Sequence, residues 1–316
     1  MIVEIERDTV DELYTETLQK LQIYKIEEET RGGPVLSFPE PVLWTLTNPR
    51  NRVLINPIRD ANPFFHAMEF IWMMSGEGKI DWITQFSKKY GDFAQDYAGY
   101  GYRWRKSFYF DQIRQVILAL KKDPQTRRAV LTMWAASDVV PSGQKEVPCN
   151  LMIALRNVGG QLDMTVTNRS NDIIYGALGA NVVHMTMLHE LIAHGAGLEL
   201  GVYRAFSINA HMYQKMPRFD ELYNRSVYHR GISEQCRPIL QDHEKWEDFI
   251  EDCENMVYNK DNSMRTEWMA GVAESIFSNF FTRSMTKEIQ CPAWRRACGE
   301  WLARRQNRCY NGKASR

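Results

Sequence analysis

The stretch VPCNLMIALRNVGGQLDMTVTNRSNDIIYGALGAN, Val147–Asn181, decides how this chain is read. Residues from Asn150 to Arg156 and from Gln161 to Asn168 read as strands, with Gly159 and Gly160 between them. Two adjacent glycines between alternating segments are a hairpin signal. Such a hairpin returns Arg169 to the strand end that carries Cys149. A free thiol has a pKa of about 8.5 and is only a few per cent thiolate at neutral pH. A nearby guanidinium lowers that pKa and raises the reactive fraction. Asn181 closes the stretch with an amide donor and acceptor side by side, the complement of a ring carbonyl beside an N–H. The stretch therefore offers a nucleophile, a cation to activate it and a reader for a flat polar ring.

Outward from there, helical periodicity resumes from Ala180 to His194. His184, His189 and His194 recur every five residues, which turns each about 140° from the last around a helix, so they share no face for a metal. Gly201 to Asn209 alternates as a strand and leads to His211 and Tyr213, which point the same way on an extended segment and suit sugar hydroxyls. Upstream, Ala129 to Trp134 reads as a strand opened by Arg127 and Arg128, after a helix from Asp111 to Lys122. Asn62 to Met74 reads as a buried helix with Asn62 as N-cap and Pro63 at its first position. Glu69 within it is informative, because an unpaired buried carboxylate costs several kcal/mol. A glycine-rich aromatic loop spans Gly91 to Arg105 and holds Tyr100. The chain starts with a helix from Asp8 to Lys20, and Thr30-Arg31-Gly32-Gly33-Pro34 forms a turn. Helices at Lys245 to Tyr258 and Thr266 to Thr286 precede a basic end with Arg295, Arg296, Arg304, Arg305 and Arg308, read as a solvated face.

The 316 residues suffice for a sizeable core, and strands alternating with helices predict an α/β (α+β) fold. With 39 basic and 39 acidic residues, no whole-chain field favours nucleic acid or membrane. No apolar run is long enough to span a bilayer. The six cysteines form no C-x-x-C pair. Those features and a start unlike a secretory signal lead us to expect a reduced, cytoplasmic setting. Arg31, Arg127, Arg128, Arg169 and Ser170, if they converge, make a phosphate site of guanidinium forks and a hydroxyl.

In chain order these features resemble the thymidylate synthase family, including the phage pyrimidine nucleotide hydroxymethylases. The matches are Arg31 with its glycines, Glu-x-x-Trp-x-x-x-Gly from Glu69, Tyr100-Gly101, and Asp-Pro-x-x-Arg-Arg from Asp123. They continue with Pro148-Cys149, Arg169-Ser170-x-Asp172-x-x-x-Gly176, Asn181 and His211-x-Tyr213. The resemblance implies a single domain over 1–316 with a helical extension from about 214. It also implies a large mixed sheet packed by helices and a homodimer formed through that sheet. Its chemistry is one-carbon transfer from 5,10-methylenetetrahydrofolate to C5 of a pyrimidine nucleoside monophosphate, without a metal. Cys149 would add to C6 of the base, Glu69 would organise water and proton transfers, and Tyr100 would assist loss of the C5 proton. Arg31, Arg169 and Ser170 would hold the phosphate, with Arg127 and Arg128 crossing from the partner subunit. Asp172 and Gly176 would face folate, Asn181 the base, and His211 with Tyr213 the ribose.

Departures from the synthase pattern imply a hydroxymethylated product. The synthases' Ile-Trp-Asp is replaced by Lys89-Tyr90-Gly91-Asp92. Asn150, not histidine, follows the cysteine, and Ala177 to Asn181 is one residue longer. The family associates asparagine at the Asn181 position with uracil, which favours dUMP; dCMP and CMP are the alternatives. Rival readings are a thymidylate synthase, which ends in hydride transfer, and a non-catalytic nucleotide- or RNA-binding relative.

Overall fold

The computed structural model describes residues 1–140, 147–225, 234–260 and 263–313, with side chains to 307. Six strands form the main sheet in the order β1-β4-β9-β7-β6-β5. They are β1 (Val3–Arg7), β4 (Val42–Leu46), β5 (Val130–Thr132), β6 (Asn150–Val158), β7 (Gln161–Asn168) and β9 (Glu199–Ser207). Their registers align one rung across the whole sheet: Ile5, Trp44, Ala205, Val166, Ile153 and Leu131. Every member of that rung is buried. Because side chains alternate between faces, the next rung points outward. It comprises Glu4, Leu43, Phe206, Thr167, Met152 and Thr132, none of them buried. One face is therefore core and the other carries a mixed, half-exposed surface.

Helices cover the core face. α1 (Val10–Tyr24) is capped by Thr9, whose hydroxyl accepts the Glu12 N–H, and Trp44 of β4 donates to its Thr17 at 2.9 Å. α5 (Gln112–Lys122) and α6 (Val182–Ala196) cover β5, β7 and β9. α2 (Pro63–Ser75) lies on α6 as a second layer. Its Asn62 side chain accepts the Phe65 N–H, and Gly76 closes it in the left-handed conformation at φ 65. α8 (Trp246–Tyr258), α9 (Glu274–Thr282) and α10 (Pro292–Lys313) enclose α2 from outside, so its all-round apolar sequence is fully used. Phe70 meets Phe249, and Phe64 meets both Phe280 and Trp301. No described helix is long and apolar enough to cross a membrane.

A second sheet, in the order β2-β3-β10-β8, joins β2 (Ile26–Thr30), β3 (Gly33–Ser37), β10 (Ala210–Tyr213) and β8 (Asn171–Asp172). The turn expected at Thr30 to Pro34 is a tight hairpin: Thr30 pairs with Gly33, and only Arg31 and Gly32 lie outside the ladder.

Three expectations change. β1 precedes the first helix, which runs on to Tyr24 because Leu18 and Leu21 still face the core. The segment expected as a loop to Arg105 holds a 3₁₀ turn at Lys88–Asp92, α4 (Tyr100–Tyr102) and a π turn at Arg103–Ser107. The physical reason is close approach: a Cβ on Gly101 would lie 2.0 Å from the Met73 carbonyl oxygen, so glycine lets this segment press onto α2. The last expected helix passes without a break through a π turn at Met269–Ala273 into α9 and stops short of Thr286, at Arg283 with φ 55. The remaining short helices are α3 (Asp81–Thr84) and α7 (Phe219–Asn224).

Candidate active site

The site forms at one end of the main sheet, where β6 begins and β7 and β9 end. Asn150 pairs with Asn168, and Asn168 with Ser207, a buried polar rung that ends the apolar ones. Just past it, half-buried Cys149 lies beside Arg169, whose N–H donates to the Cys149 carbonyl at 2.9 Å. The guanidinium donates to the Pro148 carbonyl at 2.9 Å and the Val147 carbonyl at 3.1 Å, and it stacks over Trp134. The hairpin thus fixes a cation against the backbone that carries the thiol. Asn150 is fully buried and donates to Asn168 at 3.4 Å. Its Oδ1 has no hydrogen-bond partner among the described residues.

The second sheet supplies the opposite wall. His211 pairs with Asp172 across β10 and β8, and with Ser37 across β3. His211 Nδ1 is 2.8 Å from Asn209 Oδ1 and 3.5 Å from the Ser170 hydroxyl. Burial lowers the His211 pKa against the opposing pull of Asp172, so the imidazole is neutral at pH 7. Burial raises the Asp172 pKa, opposed by the Tyr175 N–H, His211 and the Ile174 N–H. The Ile174 and Tyr175 N–H groups donate to Asp172 Oδ1 at 2.6 and 2.7 Å. The Tyr213 ring stands perpendicular to His211 at 5.0 Å. Burial raises the Tyr213 phenol, with Asp172 and Cys149 adding and Arg31 opposing. Arg31 is exposed at the hairpin tip, and Gly32 lets that tip rest on Tyr213, whose Cε1 would lie 2.7 Å from an added Cβ.

Ile173–Asn181 closes the site as a π-helical stretch interrupted at Gly179, where φ is −107 and ψ −105. A Cβ on Gly179 would sit 2.7 Å from the Ile174 carbonyl oxygen, and one on Gly176 would sit 2.5 Å from Asn171 Oδ1. Asn181 donates from Nδ2 to Asn171 Oδ1 at 3.3 Å, which orients its amide. Arg59 braces the stretch, donating to the Ile174 carbonyl at 3.0 Å with its guanidinium 4.7 Å above the Tyr175 ring.

Glu69 is buried on α2 with its Oε2 3.3 Å from His184 Nε2, which is also 3.2 Å from the His66 carbonyl oxygen. Burial lowers the His184 pKa to about 3, so a neutral imidazole faces the carboxylate and the pair is not ionic near pH 7. His189 is likewise lowered by burial, to about 4, and points at the Leu162 carbonyl. His194 points at the Glu244 carbonyl. The three histidines of α6 thus serve three separate backbone oxygens. Both folded values lie below an unfolded value of about 6.5, so the unfolded chain binds more protons between those limits. The associated stability is complete above about pH 6.5 and falls as pH drops towards 4 and 3, by up to about 1.4 kcal/mol per unit for each histidine. We expect the urea midpoint to fall steadily from pH 7 to pH 5; a flat midpoint would contradict neutral burial.

Tyr100 is half-buried at the start of α4, tilted against Trp104. Arg127 and Arg128 are exposed ahead of β5 and show no bond to the site of their own chain among the described residues. The C-terminal arginines are engaged, not a free face: Arg295 pairs with Glu288, Arg296 with Glu300 and Glu234, and Arg304 and Arg305 with Asp60. The side chain of Arg308 lies outside the described residues. A cavity of about 500 Å³ between α8 and α9, lined by Met256, Met264, Phe277 and Phe281, holds none of the site residues. Sequence reading missed Arg59, Trp134 and Asn209. Each follows or precedes a turn without periodicity; only the charge of Arg59 beside Asn56-Pro57 was a usable signal.

A family model described as thymidylate synthase matches residues 59–268. A deoxyuridylate hydroxymethyltransferase of Pseudomonas phage M6 is 39% identical over 259 residues, covering 77% of this chain and 74% of that protein. A protein of the same description from Bacillus phage SP01 is 33% identical, over 55% of this chain and 49% of its own length. A putative thymidylate synthase of Methanothermobacter marburgensis is 32% identical, over 50% of this chain and 73% of its own.

Proposed function

The chain belongs to the thymidylate synthase family, and we propose that it hydroxymethylates C5 of dUMP. The observation that carries this reading is the register of β6 on β7, which sets Cys149 against Arg169 at the end of the main sheet. Cys149 adds as thiolate to C6 of the base, and the electron pair released makes C5 nucleophilic. Arg169 favours the thiolate and, with Ser170 and Arg31, holds the 5′-phosphate. Asn181 presents its oxygen to the base N3–H and its amide hydrogens to O4. His211 and Tyr213 read the ribose. Asp172 and Gly176 line the folate side, where Asp172 Oδ2 and exposed Tyr175 suit a flat heterocycle with amino groups. 5,10-Methylenetetrahydrofolate supplies the one-carbon unit when bound. Tyr100 assists removal of the C5 proton as the bond from the C5-linked carbon to the folate nitrogen breaks and tetrahydrofolate leaves, Glu69 relays protons, and water adds to the resulting C5 methylene before Cys149 departs from C6.

Water, not hydride, as the final nucleophile is supported by two features. Tyr90 is buried against Phe65, Trp72 and Phe93, where the synthases' pattern has tryptophan. The buried Asn150 Oδ1, next to the nucleophile and lacking a protein partner among the described residues, suits an ordered water. We further propose one domain over 1–316 with a helical extension from about 214, acting in the cytoplasm as a homodimer. The outward rung of the main sheet would form its interface.

Mass spectrometry after incubation with folate and each of dUMP, dCMP, UMP and CMP tests the reading. We expect a hydroxymethyl gain on dUMP. A methyl gain with dihydrofolate formation would make the chain a synthase, and reaction of dCMP or CMP alone would move the base assignment.

A further inference from the structure

The C-terminal helix α10 reaches the candidate site through one aspartate. Arg304 Nε is 3.0 Å from Asp60 Oδ1, and Arg305 meets both oxygens of the same carboxylate at 3.1 and 3.3 Å. Arg305 also lies flat over Trp301, at 3.3 Å from its ring centre, and Trp301 packs on Phe64 of α2. The clamp is thus seated on the core and does not hang in solvent. Burial favours the protonated form of Asp60, yet Arg305 and Arg304 outweigh it and hold the carboxyl below its usual range.

Asp60 itself sits at φ 50, a left-handed conformation that is uncommon outside glycine and needs support from its surroundings. Support comes from two sides. Asn56 Oδ1 accepts the N–H groups of Ile58 and Arg59 at 2.9 and 3.0 Å, and the Asp60 N–H donates to the Asn56 carbonyl at 2.8 Å. α10 supplies the other side. Between them stands Arg59, aimed at the Ile174 carbonyl and the Tyr175 ring. A chain of contacts therefore runs from Arg304 and Arg305 through Asp60 and Arg59 to Ile173–Asn181, whose last residue is Asn181.

We propose that Asp60, Arg304 and Arg305 are positioning residues: α10 sets the conformation of Ile173–Asn181 and through it the fidelity of base selection at Asn181. The link to base selection rests on the function proposed above; the link between helix and segment does not. The role of these arginines is internal, in place of a nucleic-acid contact.

The test uses the full chain carrying Arg304→Ala/Arg305→Ala, with Asp60→Asn as a second variant that tolerates the left-handed backbone but removes the charge. Hydrogen exchange should accelerate about tenfold or more across 173–181 while β6 and β7 stay protected. The KM for dUMP should rise about tenfold, with kcat within about twofold, and the preference for dUMP over dCMP should fall. Arg304→Lys/Arg305→Lys should recover part of the preference. Unchanged exchange in 173–181 overturns the proposal, as does faster exchange with unchanged base preference or uniform acceleration with a lowered melting temperature. A wild-type protein that hydroxymethylates no nucleotide retires the proposed function, while the exchange comparison still decides the coupling.

Discussion

Cys149→Ala is expected to reduce C5 chemistry by at least about four orders of magnitude while dUMP still binds. The reason is electronic. C5 of a pyrimidine is a poor nucleophile until a group adds to C6, and no other side chain proposed for the site offers a comparable soft nucleophile. Binding has different sources: the phosphate cations, Ser170, Asn181, His211 and Tyr213 are untouched by the loss of one sulfur atom. Because Cys149 precedes β6 and its backbone carbonyl, not its side chain, accepts the Arg169 N–H, the alanine variant keeps the hairpin register. Release of tritium from 5-tritiated dUMP reports C5 activation directly, and calorimetry reports binding. Turnover within tenfold of wild type would remove Cys149 from the mechanism. Loss of binding together with turnover would show that the site had collapsed.

The sequence made the placement of the candidate residues legible wherever a local rule applied. Gly159-Gly160 announced the β6–β7 hairpin, and the hairpin in turn placed Arg169 at Cys149. Asn62, Pro63 and the apolar run after them defined α2 to within a residue. What stayed hidden depends on partners distant in sequence. β1 is a short, half-polar strand that exists because β4 pairs with it, and nothing in its own composition says so. The Tyr100 segment has no hydrophobic period because its order comes from backbone contact with α2 at Gly101. Arg304 and Arg305 look like a solvated basic face until Asp60, some 244 residues earlier, is placed against them. The glutamate on α2 announced itself as costly to bury, but its facing group, a neutral His184, was visible only once α6 lay against α2.

At subsaturating dUMP, Arg127→Ala, weakened in binding, and Cys149→Ala, inactive, should regain activity when the two proteins are mixed and allowed to exchange subunits. Arg127 and Arg128 stand exposed ahead of β5, the edge strand of the main sheet. A pair of guanidinium groups that meet no carboxylate among the described residues would suit the phosphate proposed for Arg31, Arg169 and Ser170. If the partner supplies them, Arg127→Ala removes a charge-assisted contact worth about 1.5–3 kcal/mol, roughly ten- to 150-fold in affinity. In a mixed dimer one site then combines an intact Cys149 with an intact partner arginine, and the other site lacks both. Random exchange makes half of all dimers mixed, so recovery should approach about one quarter of wild-type activity. Mixing at rising dUMP concentration sharpens the test, because the Arg127 defect is one of binding and the Cys149 defect is not. Confirmed exchange without recovery would mean that each subunit completes its own phosphate site, and the dimer would lose its catalytic rationale.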